Sequence, residues 1–183
     1  MKKLMIIGIM LCYAAILSAN QPKIKLGIDV FLEKEYTNYT GKKLGLITNQ
    51  TGLTSDLKVN IDEIFRLEDI KLVKLFSPEH GIRGVVNAGE KVNSDIDPKT
   101  GLQIHSLYGS TKKPTPEMLK DIDVLMYDIQ DIGVRTYTYI YTMAYAMQAA
   151  AENNKDFVVL DRPIPVYGNL IDGNILEEKY SSF

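Results

Sequence analysis

The chain has 183 residues, 45% of them hydrophobic and 24% charged, with a net charge of −2. That length suits one domain with a real core, and the near-neutral balance supplies no field for holding nucleic acid or an anionic membrane. The single cysteine, Cys12, lies in the N-terminal stretch, so disulfides, thiol catalysis and cysteine-ligated metals are excluded from the chain beyond it.

Lys2 and Lys3 precede an apolar run from Leu4 to Leu17, followed by Ser18-Ala19. A basic n-region, an apolar h-region and a small-residue cleavage site read as a secretory signal over residues 1–19. The run is shorter than the roughly 20 residues a membrane-spanning helix needs. Leu11 stands before Cys12 where a lipoprotein signal wants a small residue, so no lipid anchor is read. Export to a bacterial periplasm or cell surface is the expectation, with no stable membrane span once the signal is cleaved.

Beyond the signal, Gly27–Lys34 reads as a helix, and Gly41 separates it from a first core strand at Lys43–Thr48. Leu57, Ile61, Ile64, Phe65 and Leu67 recur at helical spacing, with Thr54-Ser55-Asp56 offering N-cap candidates. A second strand is read at Lys71–Phe76. Residues 81–100, rich in Gly, Asn and Asp, read as a long loop over the strand ends, of a length that is usually functional or disordered. Leu102–Tyr108 alternates and reads as a short edge strand. Thr115-Pro116-Glu117 opens a helix, since Thr115 can cap and proline suits the first helical position. A strand at Asp123–Tyr127, a helix from about Thr138 to Asn153 and a strand at Asp156–Leu160 complete the pattern.

Four apolar runs each stop at a polar cluster. KLGLIT ends at Thr48-Asn49-Gln50-Thr51-Gly52, and KLVKLF at Ser77-Pro78-Glu79-His80-Gly81. IDVLMYD runs into Asp128-Ile129-Gln130-Asp131-Ile132-Gly133, and FVVL ends at Asp161-Arg162-Pro163. Short, β-rich, nearly continuous apolar runs are how buried parallel strands read. Ligands of open α/β sheets sit outside the carboxyl ends of such strands, so the four clusters are expected to converge on one site.

In the second cluster, proline fixes the backbone and Gly81 permits a left-handed turn, presenting Glu79 and His80 at a bend. A partly shielded carboxyl there suits a general acid; the alternatives are a helix cap or an ion pair with Arg83. In the third, Asp128 and Gln130 share one side of an extended end, and Gly133 allows a close approach to a ligand. Arg135 either holds an anionic group bidentately or neutralises Asp128 and Asp131. Tyr137, Tyr139 and Tyr141 alternate, as a sugar-stacking surface or as core; for Tyr141 and Tyr145 the core reading is preferred. Asn49, Gln50 and Asp161 add groups suited to hydroxyls, and Arg162 either joins them or structures its own turn. Glu79, His80, Asp128 and Asp131 form a conceivable ligand set, but no repeated metal-binding spacing is present, and no metal or cofactor is expected. GxGxxG, Walker GxxxxGK[ST] and GxSxG patterns are all missing.

TNQTG, a strand ending in SPEHG, YDIQDIGVRTYTY and LDRP, in that order, resemble the exo-β-N-acetylmuramidase family over about Leu26 to Ile175. The two central motifs are long and specific. The resemblance implies an exported glycoside hydrolase that removes terminal N-acetylmuramic acid from the non-reducing ends of peptidoglycan fragments, with muramyl glycans as its partners. It also implies a Rossmann-like N-terminal domain over residues 24–175, an open, mostly parallel sheet with helices on both faces. Family members carry a smaller C-terminal domain after it, with the active cleft between the two. The family's proposed catalytic glutamate falls on Glu79. Two departures stand out: Ile164-Pro165 replaces the usual Asn-Pro after LDRP, and family members are about twice this length. The chain therefore reads as the N-terminal domain, with residues 176–183 as the truncated start of the next segment.

Glycoside hydrolysis commonly pairs a carboxylic acid with a second carboxylate. Glu79 is the expected acid and Asp128 or Asp131 the second group. His80 is placed as a tuning or binding residue, and Arg135 is matched to the lactyl carboxylate of muramic acid. A metal-assisted hydrolase and a non-catalytic glycan-binding module remain the other readings.

Overall fold

A computed structural model of the chain describes residues 24–79, 81–84, 95–166 and 168–181. The expected signal at residues 1–19 and the His80 position lie outside these. In chain order the regular elements are α1 (Gly27–Glu33), β1 (Lys43–Thr48), α2 (Asn60–Phe65), β2 (Lys71–Ser77), β3 (Asp95–Ile96), β4 (Gln103–Ser106), α3 (Pro116–Leu119), β5 (Val124–Asp128), α4 (Tyr139–Glu152) and β6 (Asp156–Val159). Short 3-10 turns add Glu35–Tyr39 and Glu178–Tyr180.

Six strands form one sheet in the order β3-β4-β2-β1-β5-β6. Every neighbouring pair is parallel except β3–β4. Successive side chains of a strand point to opposite faces, and here both faces are apolar. Val124 and Met126 join Leu44, Leu46, Ile61, Ile64 and Leu75 beneath α1 and α2. Leu125 and Tyr127 join Ile47, Phe76, Leu119, Ala146 and Ala150 beneath α3 and α4. The sheet is covered on both sides, as the continuous apolar runs require.

From β1 the chain steps outward one way to β2 and β4, then returns to the other side of β1 for β5 and β6. The strand order therefore reverses between β1 and β5, where Thr48 lies opposite Asp128. Crevices of open α/β sheets form at such a reversal.

Three expectations are corrected. The helix read over residues 57–67 runs only from Asn60 to Phe65. Leu57 is the exposed tip of a turn, with φ of 60°, and the Leu57 amide donates to the Thr54 carbonyl at 2.9 Å. Thr54 does not cap the helix: its Oγ1 accepts from the Lys58 amide at 3.1 Å, and Val59 at the N-cap offers no side-chain bond. The strand expected at the sheet's edge, β4, is interior, because Asp95 and Ile96 in the supposed loop add an antiparallel strand outside it. By contrast, Thr115 caps α3 through Met118 with Pro116 in the first turn, as read from the sequence.

Candidate active site

All five parallel strands end on one side, and the four polar clusters lie along that edge. They divide into a buried polar knot at the reversal point and two depressions flanking it.

The knot is centred on Asp128, the last residue of β5, which is fully buried. Arg162 grips it with both arms, Nε to Oδ1 at 2.6 Å and Nη2 to Oδ2 at 2.9 Å. Asn60 Nδ2 donates to Asp128 Oδ2 at 2.7 Å and to Thr48 Oγ1 at 2.8 Å. Thr48 Oγ1 in turn donates to the Asp128 carbonyl at 2.8 Å, and Arg162 Nη2 to the Leu53 carbonyl at 2.9 Å. A Cβ on Gly52 would fall 2.2 Å from Thr48 Oγ1 and 2.3 Å from Asn60 Nδ2, so only glycine lets the knot close. Burial pushes the Asp128 carboxyl up, against the pull of Arg162 and Asn60. These contacts correct the expectation that Asp128 stands beside the reacting bond. Both of its oxygens accept from neighbouring side chains, and Arg162 is its counter-ion.

Glu79 sits one turn past β2, half-buried, in a depression of about 190 Å³ lined by Thr136, Tyr137, Thr138 and Tyr139. The bend is built as expected: Gly81 has φ of 77° and its amide donates to the Pro78 carbonyl at 3.3 Å. Arg83, the alternative ion-pair partner, is committed to Asp97 and Asp62. Thr138, at the N-cap of α4, makes no cap bond with its side chain; its Oγ1 donates to Glu79 Oε2 at 3.2 Å. The Tyr108 hydroxyl also bonds to Glu79, and that contact holds the phenol above its ordinary value, with burial adding to it.

Asn49 is buried next to this depression. Its Oδ1 accepts from the Thr51 amide at 2.9 Å and the Thr51 hydroxyl at 2.6 Å, which fixes the amide's orientation. Its Nδ2 meets no partner at hydrogen-bond geometry among the described residues. It lies near enough to the Tyr139 hydroxyl to favour the phenolate, yet burial outweighs this and pushes Tyr139 up. Tyr139 begins α4 and is 7% exposed, whereas Tyr137 is 47% exposed. Of the three alternating tyrosines, Tyr139 is buried at the start of α4, Tyr141 is partly buried, and Tyr137 is the most exposed ring.

The second depression, about 440 Å³, is lined by Asp131, Gly133, Arg135, Asp161 and Arg162 with apolar walls from Ile140, Met143 and Ile164. Asp131 Oδ1 accepts from the Gly133 amide at 2.5 Å. Gly133 has φ of 73° and faces Ile164 and Val166, so its freedom serves a turn and a close chain crossing. Arg135 is exposed and pairs with no carboxylate among the described residues. Gln130 is spent on structure, with Nε2 donating to the Asp131 and Pro163 carbonyls at 2.8 and 2.9 Å. Gln50 is exposed and packs against Gly84. Asp161 is exposed; its carbonyl accepts from the Gly27 amide at 2.7 Å. No group of three or more His, Cys, Asp or Glu side chains among the described residues is placed to hold a metal ion.

Sequence reasoning misses Tyr108, Thr138 and Asn60. Tyr108 comes after a strand too short to announce a polar terminus, while Thr138 reads only as an element boundary.

Residues 44–183 match the profile of the family described as "Exo-beta-N-acetylmuramidase NamZ, N-terminal". The chain belongs to this family. Over 166 residues it is 57% identical to the peptidoglycan beta-N-acetylmuramidase NamZ of Bacillus subtilis, covering 91% of this chain and 40% of that protein. Two crystal structures of DUF1343 family proteins from Bacteroides fragilis superpose with TM-scores of 0.77 and 0.70, at 54% and 35% identity. Each match covers 87% of this chain and 40% of the other. The chain thus spans about two fifths of the length of these relatives, and the family profile takes in Asn49, Glu79, Tyr108, Asp128, Thr138 and Arg162.

Proposed function

We propose that this chain supplies the Glu79-bearing part of an exo-acting β-N-acetylmuramidase, releasing terminal N-acetylmuramic acid from the non-reducing ends of peptidoglycan fragments. The observation that carries the reading is Glu79 itself. In a family of muramidases, it stands in a depression at the sheet's carboxyl edge with the Thr138 hydroxyl bonded to it. A carboxylic acid so placed donates its proton to the glycosidic oxygen as the bond to C1 breaks through an oxocarbenium-like state. Water then adds to C1, its released proton passing to a carboxylate base, so that free N-acetylmuramic acid is formed. With Asp128 locked to Arg162, Asp131 is the remaining sequence candidate for the second carboxylate. Arg135 and the exposed Tyr137 are assigned to the sugar, Arg135 to its lactyl carboxylate and Tyr137 to stacking. The basic, apolar and small-residue pattern of residues 1–19 supports export as the setting.

The test is sugar release from a chromogenic β-N-acetylmuraminide, by the 183-residue chain and by the chain extended to the length of its relatives. Glu79→Gln is expected to lower the rate by about 10²–10⁴-fold, with EDTA leaving the wild type unchanged. No release by either length would overturn the reading. Loss in EDTA would favour a metal-assisted hydrolase. The 40% coverage of its relatives favours one second reading, a glycan-binding unit that does not turn over alone. Muramyl ligand binding that survives Glu79→Gln, without turnover in the short form, would mark it.

A further inference from the structure

In the parallel β2–β4 pair, Ser77 lies opposite Ser106, and the Leu107 amide continues the ladder by donating to the Ser77 carbonyl at 2.8 Å. Glu79 and Tyr108 are each two residues past that matched pair. Parallel register therefore sets them side by side at the sheet's edge. The exit from β4 is fixed locally: Ser106 Oγ donates to the Tyr108 carbonyl at 3.1 Å and accepts from the Tyr108 amide at 3.3 Å. From the start of α4, Thr138 also donates to Glu79 Oε2. The carboxyl is thus gripped by hydroxyls from two elements that share no chain neighbours.

We propose that Tyr108 is a positioning residue for Glu79, its hydroxyl aiming the carboxyl at the leaving oxygen and stabilising the negative charge that develops as the proton departs. The inference rests on the reading of Glu79 as general acid. In the step, the O–H bond of Glu79 breaks as a new O–H bond forms on the glycosidic oxygen. The C1–O pair leaves with that oxygen as a neutral alcohol, and the Glu79 carboxylate keeps the electron pair of its former O–H bond. A fixed donor to that carboxylate is a stronger partner at the end of the transfer than at its start, so its contribution appears in the transition state. Tyr108 suits the part because its phenol is protonated, and so a donor, through the neutral range, and its hydrogen bond with Glu79 raises its pKa further.

Proton donation matters most when the leaving group is poor, which sets the test. Tyr108→Phe keeps the ring and removes the hydroxyl. In the chain extended to the length of its relatives, kcat would be measured on a series of β-N-acetylmuraminides, from an activated nitrophenol to a sugar aglycone. Expected is a fall of roughly 10–100-fold on the sugar aglycone, little change on the activated phenol and a nearly constant KM. Thermal unfolding of the variant would be monitored in parallel. Equal losses across the series, or none, would overturn the proposal. Glu79→Gln separates it from the reading beneath it. If that variant loses activity on poor leaving groups while Tyr108→Phe matches wild type, only the Tyr108 role falls. If Glu79→Gln is as active as wild type, or the wild type releases nothing, both fall.

Discussion

Asp128 shows how a side chain that looks catalytic in a sequence can be tied into the fold in three dimensions. It ends an apolar strand beside a glycine-containing turn, as an active-site acid does, yet its oxygens are consumed by Arg162 and Asn60. Removing one partner of a buried charge pair leaves the other uncompensated, which costs about 3–5 kcal/mol. Asp128→Asn is expected to lower unfolding stability by that amount, read from urea denaturation. Adding Arg162→Met should cost less than the sum of the two single changes; additive losses would show that the pair does not act as a unit. Glu79 is the contrasting case. Its motif is readable because Pro78 and Gly81 constrain the backbone around it, whereas its partners arrive from positions 108 and 138, which local pattern does not connect.

Among the elements, strands are the most legible. β1, β2 and β5 carry β-rich apolar runs whose burial on both faces leaves little choice of structure, and β6 is a shorter apolar run at the partly exposed edge. The helix before β2 is misread because Leu57 happens to fall at helical spacing, while its place in a turn is set by bonds to Thr54 and by the bridge between Leu53 and Val59. The β3–β4 pair escapes notice because two residues form too short a run to signal a strand. It is held in place by an ionic clamp. Arg83 Nε donates to Asp97 Oδ1 at 2.7 Å and its Nη2 to Asp97 Oδ2 at 3.0 Å and Asp62 Oδ1 at 3.2 Å. Lys99 also pairs with Asp62. Burial alone would raise both carboxyls, but the surrounding donors outweigh it and hold both below the ordinary value. An acid so depressed stabilises the fold fully above its unfolded pKa, roughly 3.9, and loses that contribution as pH falls through the folded value. Stability is therefore expected to decline on acidification below about pH 4, and to decline less steeply in Asp97→Asn. Denaturant midpoints across that range check this; equal slopes in the two proteins would discount the clamp.

At the scale of the whole molecule, apolar surface is distributed unevenly. Val159 on the outer strand β6 is 44% exposed, and Ile164, Val166, Leu170, Ile171 and Ile175 beyond it run from 45% to 97%. Exposed apolar residues beside a strand edge left open among the described residues promote association. The 183-residue chain is expected to self-associate with rising concentration, by light scattering, and Val159→Lys to reduce it. A monomer at all concentrations would show that this surface is tolerated in water. The parallel sheet and the shared edge of its polar clusters are legible in the sequence. The division of those clusters between a knot and two depressions is not, because it depends on which arm of which arginine reaches across the strand reversal.

The Asp128–Arg162 pair also imposes an order on how the protein comes into being. During synthesis β1 acquires its β2 neighbour within some thirty residues, while its other flank stays bare until β5 emerges about eighty residues later. When β5 does dock, it carries into the centre of the sheet a carboxylate whose counter-charge is still thirty-four positions away. A nascent chain halted between residues 128 and 162 would carry that carboxylate without its arginine. Chains ending in that interval are expected to be less stable than the full one, because they bury the Asp128 carboxylate without its counter-charge.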